Sequence, residues 1–161
     1  MVTTRPQVTT AANLTHLLNS AAVGAAFVTD PIQLSDLNQE GFDAIRIFLR
    51  VRTGGVAPVA GSKISLYLVY GDDSGTPHID AGLPNALTAI ATGTLDTVLP
   101  YVEALGEMPL RTAANTDAFM SFSFVPKAAH TVQLVVVNDS DQVLNAGNHH
   151  LRWVGMLYGS R

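Results

Sequence analysis

The 161-residue sequence contains no cysteine. That excludes a disulfide framework, a thiol nucleophile and any zinc or iron–sulfur site built on thiolates. Charge is also scarce. Only 14% of the residues are Asp, Glu, Lys or Arg, against roughly 25% in an ordinary soluble chain. With 47% hydrophobic residues, so little charge implies a surface that is partly covered in use, as in an assembly. Nine Lys and Arg stand against thirteen Asp and Glu, for a net charge of −4. An acidic chain without a basic tract is poorly suited to neutralising phosphates, so nucleic acid is not an expected partner. No stretch approaches the ~20 apolar residues of a membrane span. Residues 1–7 lack the apolar segment of a signal peptide. The expectation is a soluble protein, made in the cytoplasm, with no membrane partner.

What is present reads as strands. In residues 43–52, Ile45, Ile47, Leu49 and Val51 alternate with Arg46, Phe48, Arg50 and Arg52. That period of two marks a strand with one buried face. Residues 63–70 form a second strand, stopped by the turn cluster Gly71-Asp72-Asp73-Ser74-Gly75. Residues 119–125 put Met120, Phe122 and Phe124 on one face and end at Pro126. Residues 131–137 are β-branched and end at Asn138-Asp139-Ser140-Asp141; residues 149–158 close the chain with mixed alternation. Residues 21–29, Ile32-Gln33-Leu34 and residues 93–99 are further candidates, and residues 86–90 fit helix or strand equally. Seven or eight short strands with turns between them predict an all-β fold: an antiparallel β-sandwich, jelly-roll-like, with an N-terminal arm. The predicted organisation is an arm over residues 1–20 and a single sandwich domain over residues 21–161. In residues 10–18 the apolar residues at 11, 14, 17 and 18 suit either a turn or two of amphipathic helix or an extended arm.

No catalytic machinery is visible, and an enzyme is not expected. There is no Gly-x-Ser-x-Gly elbow, and no Ser has a His at suggestive spacing. No phosphate-cradling glycine loop or other cofactor motif occurs. Asp72, Asp73, His78 and Asp80 gather metal-type ligands in nine residues, yet a solvated turn accounts for them and the calcium-loop pattern is not met. His149 and His150 are adjacent, so in a strand their rings diverge. A jelly-roll enzyme with His78, His149 or His150 on a metal would need those residues to converge. Trp153, Tyr158, Tyr67 and Tyr70 could build a sugar-stacking platform, as in a carbohydrate-binding module; burial in the core or an interface is the alternative.

Two features suit assembly. Leu14, Leu17 and Leu18 are candidates for docking on a partner. Arg46, Arg50 and Arg52 share one strand face, which serves either as a solvated surface or as a row of donors to carboxylates of a neighbouring subunit.

Several local patterns carry a likeness: Asp30-Pro31-Ile32-Gln33-Leu34, Phe42-Asp43-Ala44-Ile45-Arg46-Ile47-Phe48-Leu49-Arg50, and the turn Tyr70-Gly71-Asp72-Asp73-Ser74-Gly75-Thr76-Pro77. To these add Val137-Asn138-Asp139-Ser140 and Gly147-Asn148-His149-His150-Leu151-Arg152-Trp153. In them the chain resembles a family of small tailed-bacteriophage virion proteins of the capsid-decoration (cement) type. The likeness covers most of the chain from Thr29 onward and includes no catalytic residue. It implies a jelly-roll-like sandwich on the capsid surface of the virion, synthesised in the host cytoplasm, bound to the major capsid protein and often trimeric. The arm would lie along the shell or a sister subunit. A tail or baseplate component of the same virion is the neighbouring reading.

Overall fold

The computed structural model describes residues 7–8, 11–34, 43–71, 87–91, 96, 102–126 and 131–157. Among these, the chain forms β1 (Gln7–Val8), β2 (Ala12–Asn13), β3 (Ala26–Val28), β4 (Ile32–Gln33), β5 (Ala44–Arg52) and β6 (Lys63–Gly71). There follow β7 (Thr88–Ile90), β8 (Glu103–Pro109), β9 (Asp117–Phe124), β10 (Thr131–Asp139) and β11 (His150–Leu157). They make two antiparallel sheets. One runs β1-β11-β5-β9, with β2 also on β11; the other runs β7-β3-β10-β6-β8, with β4 also on β10.

The pairings are nested. β1 and β2 meet β11, β3 and β4 meet β10, β5 meets β9, and β6 meets β8. The early half of the chain therefore folds back along the late half, and successive pairs fall in alternate sheets. That is jelly-roll winding, and the expected antiparallel sandwich is observed.

The alternation read in β5 has its cause here. Ile45, Ile47, Leu49 and Val51 are buried against the facing sheet, while Arg46, Phe48, Arg50 and Arg52 look outward. Opposite them lie Ile64, Leu66, Leu68, Val132, Leu134 and Val136 in the same core. Each such side chain contributes about 1.5–3 kcal/mol by leaving water. β10 shows no alternation because both of its faces are covered. Val135 and Val137 pack outward with Ala26, Val28, Val69 and Ile90, and Tyr67 and Val102 lean on them. Gln133 is also buried; its Nε2 donates to the Thr29 carbonyl at 2.8 Å.

Residues 86–90, which fit helix or strand, supply β7 on the edge beside β3. The candidate strand at 93–99 lies outside the described residues except for Asp96. β8 is not foreseen by the sequence, since Glu103, Gly106 and Pro109 are poor strand formers. The glycine is needed: a Cβ at Gly106 would lie 2.7 Å from the Phe122 ring.

The segment expected as an arm is part of the sandwich. Residues 11–18 hold no helix; Ala12 and Asn13 pair with Trp153 and Arg152, and the Leu14 amide donates to the Leu151 carbonyl at 2.9 Å. Leu14 and Leu18 are 7% and 1% exposed and belong to the main core. The domain therefore starts before residue 20.

One end of the sandwich is tied together. The Asn138 side chain donates to the carbonyls of Ala21, Ala22 and Gln142, and the Leu144 amide donates to Ala21. Asp141 accepts from the Val59 amide and the Ser62 hydroxyl. Gln142 Nε2 also donates to it at 3.0 Å, and the bonds from Gln142, Ser62 and Val59 hold its carboxyl below the usual carboxylate range. Buried Thr53 donates to the Ala113 carbonyl at 2.7 Å and accepts from the Thr116 amide at 3.0 Å. Four connections, at 14–25, 53–62, 110–116 and 140–149, thus meet at this end.

Candidate functional site

β5, β9 and β11 lie side by side, so their outward residues fall into rows set by the pairing register. His150, Arg50 and Phe119 form one row; Arg152, Phe48 and Ser121 the next; Val154, Arg46 and Ser123 the third. Phe48, 40% exposed, sits at the centre with an arginine on three sides and Ser121 on the fourth. Phe119 is 64% exposed. The first two rows, floored by Leu49 and Met120, enclose a groove of about 370 Å³.

The arginines are held in different ways. Arg50 reaches Asp117 Oδ2 at 2.8 Å, and its guanidinium carbon lies 5.4 Å from the Phe119 ring centroid. Arg52 is 3.8 Å from the other oxygen of Asp117. Arg46 donates from Nε to Ser123 Oγ at 3.0 Å. Among the described residues, Arg46 and Arg152 have no carboxylate partner. Nε of Arg50, shielded from solvent, has no hydrogen-bond partner there either. Among the described residues, four of the six cations and one of the eight acids thus occupy this face, a net of +3. Arginine and exposed aromatic side chains together make the composition of interface hot spots.

No protein-family model matches this chain, and no curated protein matches it in sequence. Its chemistry is read from the face alone. Ser121 and His150 stand on β9 and β11 with β5 between them, about 10 Å apart at the usual strand spacing. With their backbones that far apart and no hydrogen bond between them, the Ser121 hydroxyl and the His150 ring do not form a nucleophile–base pair. The arrangement suits binding, with guanidinium donors around an apolar centre.

The residues singled out in the sequence are distributed as follows. Leu14 and Leu18 fill the chain's own core, which corrects their expected place at an interface; Leu17, at 42%, is exposed. The three arginines of β5 do share an outward face, but Arg50 and Arg52 turn to a carboxylate of their own chain. Arg152, Phe48, Phe119, Ser121 and His150 complete the face. The signal for Phe48 was its place between the arginines; Arg152 and Phe119 needed the register. Trp153 and Tyr70 pack against the main core, whereas Tyr67 leans on the outer cluster of the other sheet, so no shared sugar platform forms from them. Asp72, Asp73, His78, Asp80 and Tyr158 lie outside the described residues. Among the described residues no group of three or more His, Asp or Glu could hold a metal ion.

His149 and His150 diverge, one buried and one exposed at the groove. His149 accepts from the Arg52 amide at Nδ1 (3.2 Å) and donates from Nε2 to the Asn145 carbonyl (2.8 Å). This fixes the neutral tautomer. Burial lowers its pKa, with the nearby rings of His16 and His150 adding to the effect, against the Asn145 bond and Asp117. Burial also lowers half-buried His16, whose ring meets that of His149 edge-on at 6.3 Å. A depressed folded-state pKa means stability that is whole above the unfolded value near ~6.5 and falls as pH drops below it. Melting temperature should be flat from pH 8 to 7 and decline from about pH 6.5 to 5. The limiting slope is about 1.4 kcal/mol per pH unit for each histidine. A flat melting profile from pH 7 to 5.5 would refute this.

Proposed function

We propose that this chain is a structural virion protein of the capsid-decoration type, which binds a preformed shell through protein–protein contacts as a symmetric oligomer. The observation that carries the reading is the outward arginine–phenylalanine face on a jelly-roll sandwich that is otherwise short of charge. Such a protein bridges neighbouring capsomers and adds buried area across seams that internal pressure would open. Its affinity comes from interface burial, about 800 Å² per partner in a standard contact, multiplied by avidity across symmetric copies. No chemistry is required of it. Guanidinium groups around Phe48 suit a shell surface with acidic and apolar side chains better than a neutral sugar, which calls for amide and carboxylate partners for its hydroxyls.

The test is sedimentation of the purified chain with capsid shells that lack it. Saturable binding at a fixed number of copies per shell, with an upward shift in the temperature at which the shells rupture, is the expected result. Failure to co-sediment at micromolar concentration would overturn the reading.

A further inference from the structure

The two sheets have four edges, and three of them are blunted among the described residues. β1 and β2, on one edge, are two residues long each, and β7 is three. β8 holds Gly106 and Pro109, and its register with β6 shifts between Leu66 and Tyr67. Short or irregular edges resist pairing with another chain. β9 is the exception. It runs eight residues beside β5 without a register shift, holds no Lys or Pro, and carries its one charge, Asp117, at its start. The Thr53 amide donates to the Thr116 carbonyl at 2.9 Å, next in register to the Arg52–Asp117 pair. Alternation from that bond turns the backbone groups of Ala118, Met120, Phe122 and Phe124 to β5. Those of Asp117, Phe119, Ser121 and Ser123 point to the open edge, and among the described residues none of the four has a backbone partner there. Phe119, Ser121 and Ser123 are exposed, as is Val125 just past the strand. At 64% and 72%, Phe119 and Val125 are the two most exposed large apolar side chains of the described residues.

We infer that two copies of this chain pair edge to edge through β9, antiparallel about a two-fold axis at Phe122, so that one sheet runs through the dimer. The inference rests on the proposed function in that it names the interface of its symmetric oligomer. What commits the edge to a second copy is that its pattern is its own complement. With Phe122 on the axis, Phe119 stands opposite Val125 of the other copy at both ends, and Ser121 opposite Ser123 between them. These four pairs exchange about eight backbone hydrogen bonds, and an aromatic residue against a β-branched one is a favourable cross-strand pair. On the inner side the half-buried Met120 and Phe124 meet in the same way. Charge does not oppose the contact. The arginines stand one strand back, on β5, so those of the two copies lie about 14 Å apart across three strand spacings. That exceeds the ~8 Å screening length. The register also staggers them: the row of Arg46 and Ser123 continues into Ser121 and Phe48 of the other copy, which holds no cation on β5 there. Asp117 lies beyond the paired span and is held by Arg50 at 2.8 Å. The acids of β8, Glu103 and Glu107, belong to the other sheet, about 10 Å behind, and Glu107 is paired with Lys63. A contact between identical patches is isologous and closes as a dimer.

The experiment uses the full chain, which has no cysteine of its own. By light scattering the wild type should have twice the 17.0 kDa chain mass. Ser121→Pro removes an amide that points to the open edge and leaves the ladder with β5 whole. The variant should fold, by circular dichroism and a cooperative melt, while its association weakens about 100-fold or more through lost backbone bonds. Val125→Lys, outside the strand, should do the same, and it answers the question if the proline variant does not fold. The register is read by cross-linking. Chains with Ser121→Cys and chains with Ser123→Cys, mixed and oxidised, should form a disulfide-linked dimer, since these positions face each other at about 5.5 Å between Cα atoms. Either variant alone should cross-link far more slowly, because like residues are two positions out of register. A monomeric wild type, a dimer that survives these substitutions, or equal cross-linking by single and mixed variants would overturn the inference. Shell sedimentation separates this from the function. A monomer that pellets with shells only while Ser121 is intact defeats the inference in favour of a strand supplied by the shell. A monomer that pellets with or without Ser121 defeats the inference alone, and a dimer that does not pellet defeats the function alone.

Discussion

Asn138→Leu should lower the unfolding free energy by about 3 kcal/mol, which at this chain length corresponds to a fall of roughly 6–12 °C in melting temperature. Leucine keeps the branched heavy-atom skeleton of asparagine, with bulkier methyl ends, so most of the cost is polar and the rest is crowding. Asn138 is 1% exposed and serves both sides of the tied end. Its Nδ2 donates to Ala21 at 3.1 Å and Ala22 at 2.9 Å, and more weakly to Gln142 at 3.2 Å. Its Oδ1 accepts from the Ser140 hydroxyl at 2.7 Å and the Ser140 amide at 3.3 Å. The carbonyls keep second donors, from Leu144, Ala25 and the Ser140 hydroxyl. The buried Ser140 amide has no such reserve and would be orphaned, at about 1–3 kcal/mol. The remainder is the net value of the donor bonds. Urea unfolding monitored by Trp153 fluorescence reads the loss. A change under 1 kcal/mol would show that the loop end does not depend on this side chain.

Gly54→Ala should cost at least as much, about 3 kcal/mol or more, for a steric reason. A Cβ at Gly54 would sit 2.2 Å from the carbonyl oxygen of Val143. Neither atom can step aside cheaply. Both belong to backbone, and overpacking a close-packed contact costs about 1–3 kcal/mol even where side chains can adjust. Gly54 is further pinned by its carbonyl, which accepts from the Asn115 amide at 2.9 Å. The neighbouring glycine is the control: nothing lies within 4 Å of a Cβ at Gly55, so Gly55→Ala should change stability by no more than about 0.5 kcal/mol. Equal effects at the two positions would refute the close approach of these loops.

Much of the architecture was legible because strand patterning is local. Side chains two apart share a face, so Ile45, Ile47, Leu49 and Val51 announce a buried side wherever the strand ends up. The same logic separates Phe119 from Met120, Phe122 and Phe124, and His149 from His150. Patterning failed where burial or backbone contact overrode it. β8 is held by its pairing with β6 and by the Phe122 ring over Gly106, and neither can be seen from residues 103–109. Residues 11–18 carry a spacing that suits helix or extended chain. What decides for extension is the open edge of β11, which offers the backbone of Ala12 and Asn13 its partners. The three leucines taken as a docking set then separate, two entering the core and one staying outside.

The sequence by itself determined the class of fold, the buried faces of its main strands, the absence of thiol chemistry and the row of arginines on β5. Only the tertiary structure decided what stands beside that row. Asp117, Phe119 and Arg152 come to it from 65 or more residues away in the chain, through the β5–β9 and β5–β11 registers. It likewise decided that the connections at 14–25, 53–62, 110–116 and 140–149 meet at one end. The physical reason is that a face is chosen by neighbours two residues apart, whereas a surface is chosen by which strand edges pair. Pairing depends on burying the whole core at once and on the loops that must close to allow it.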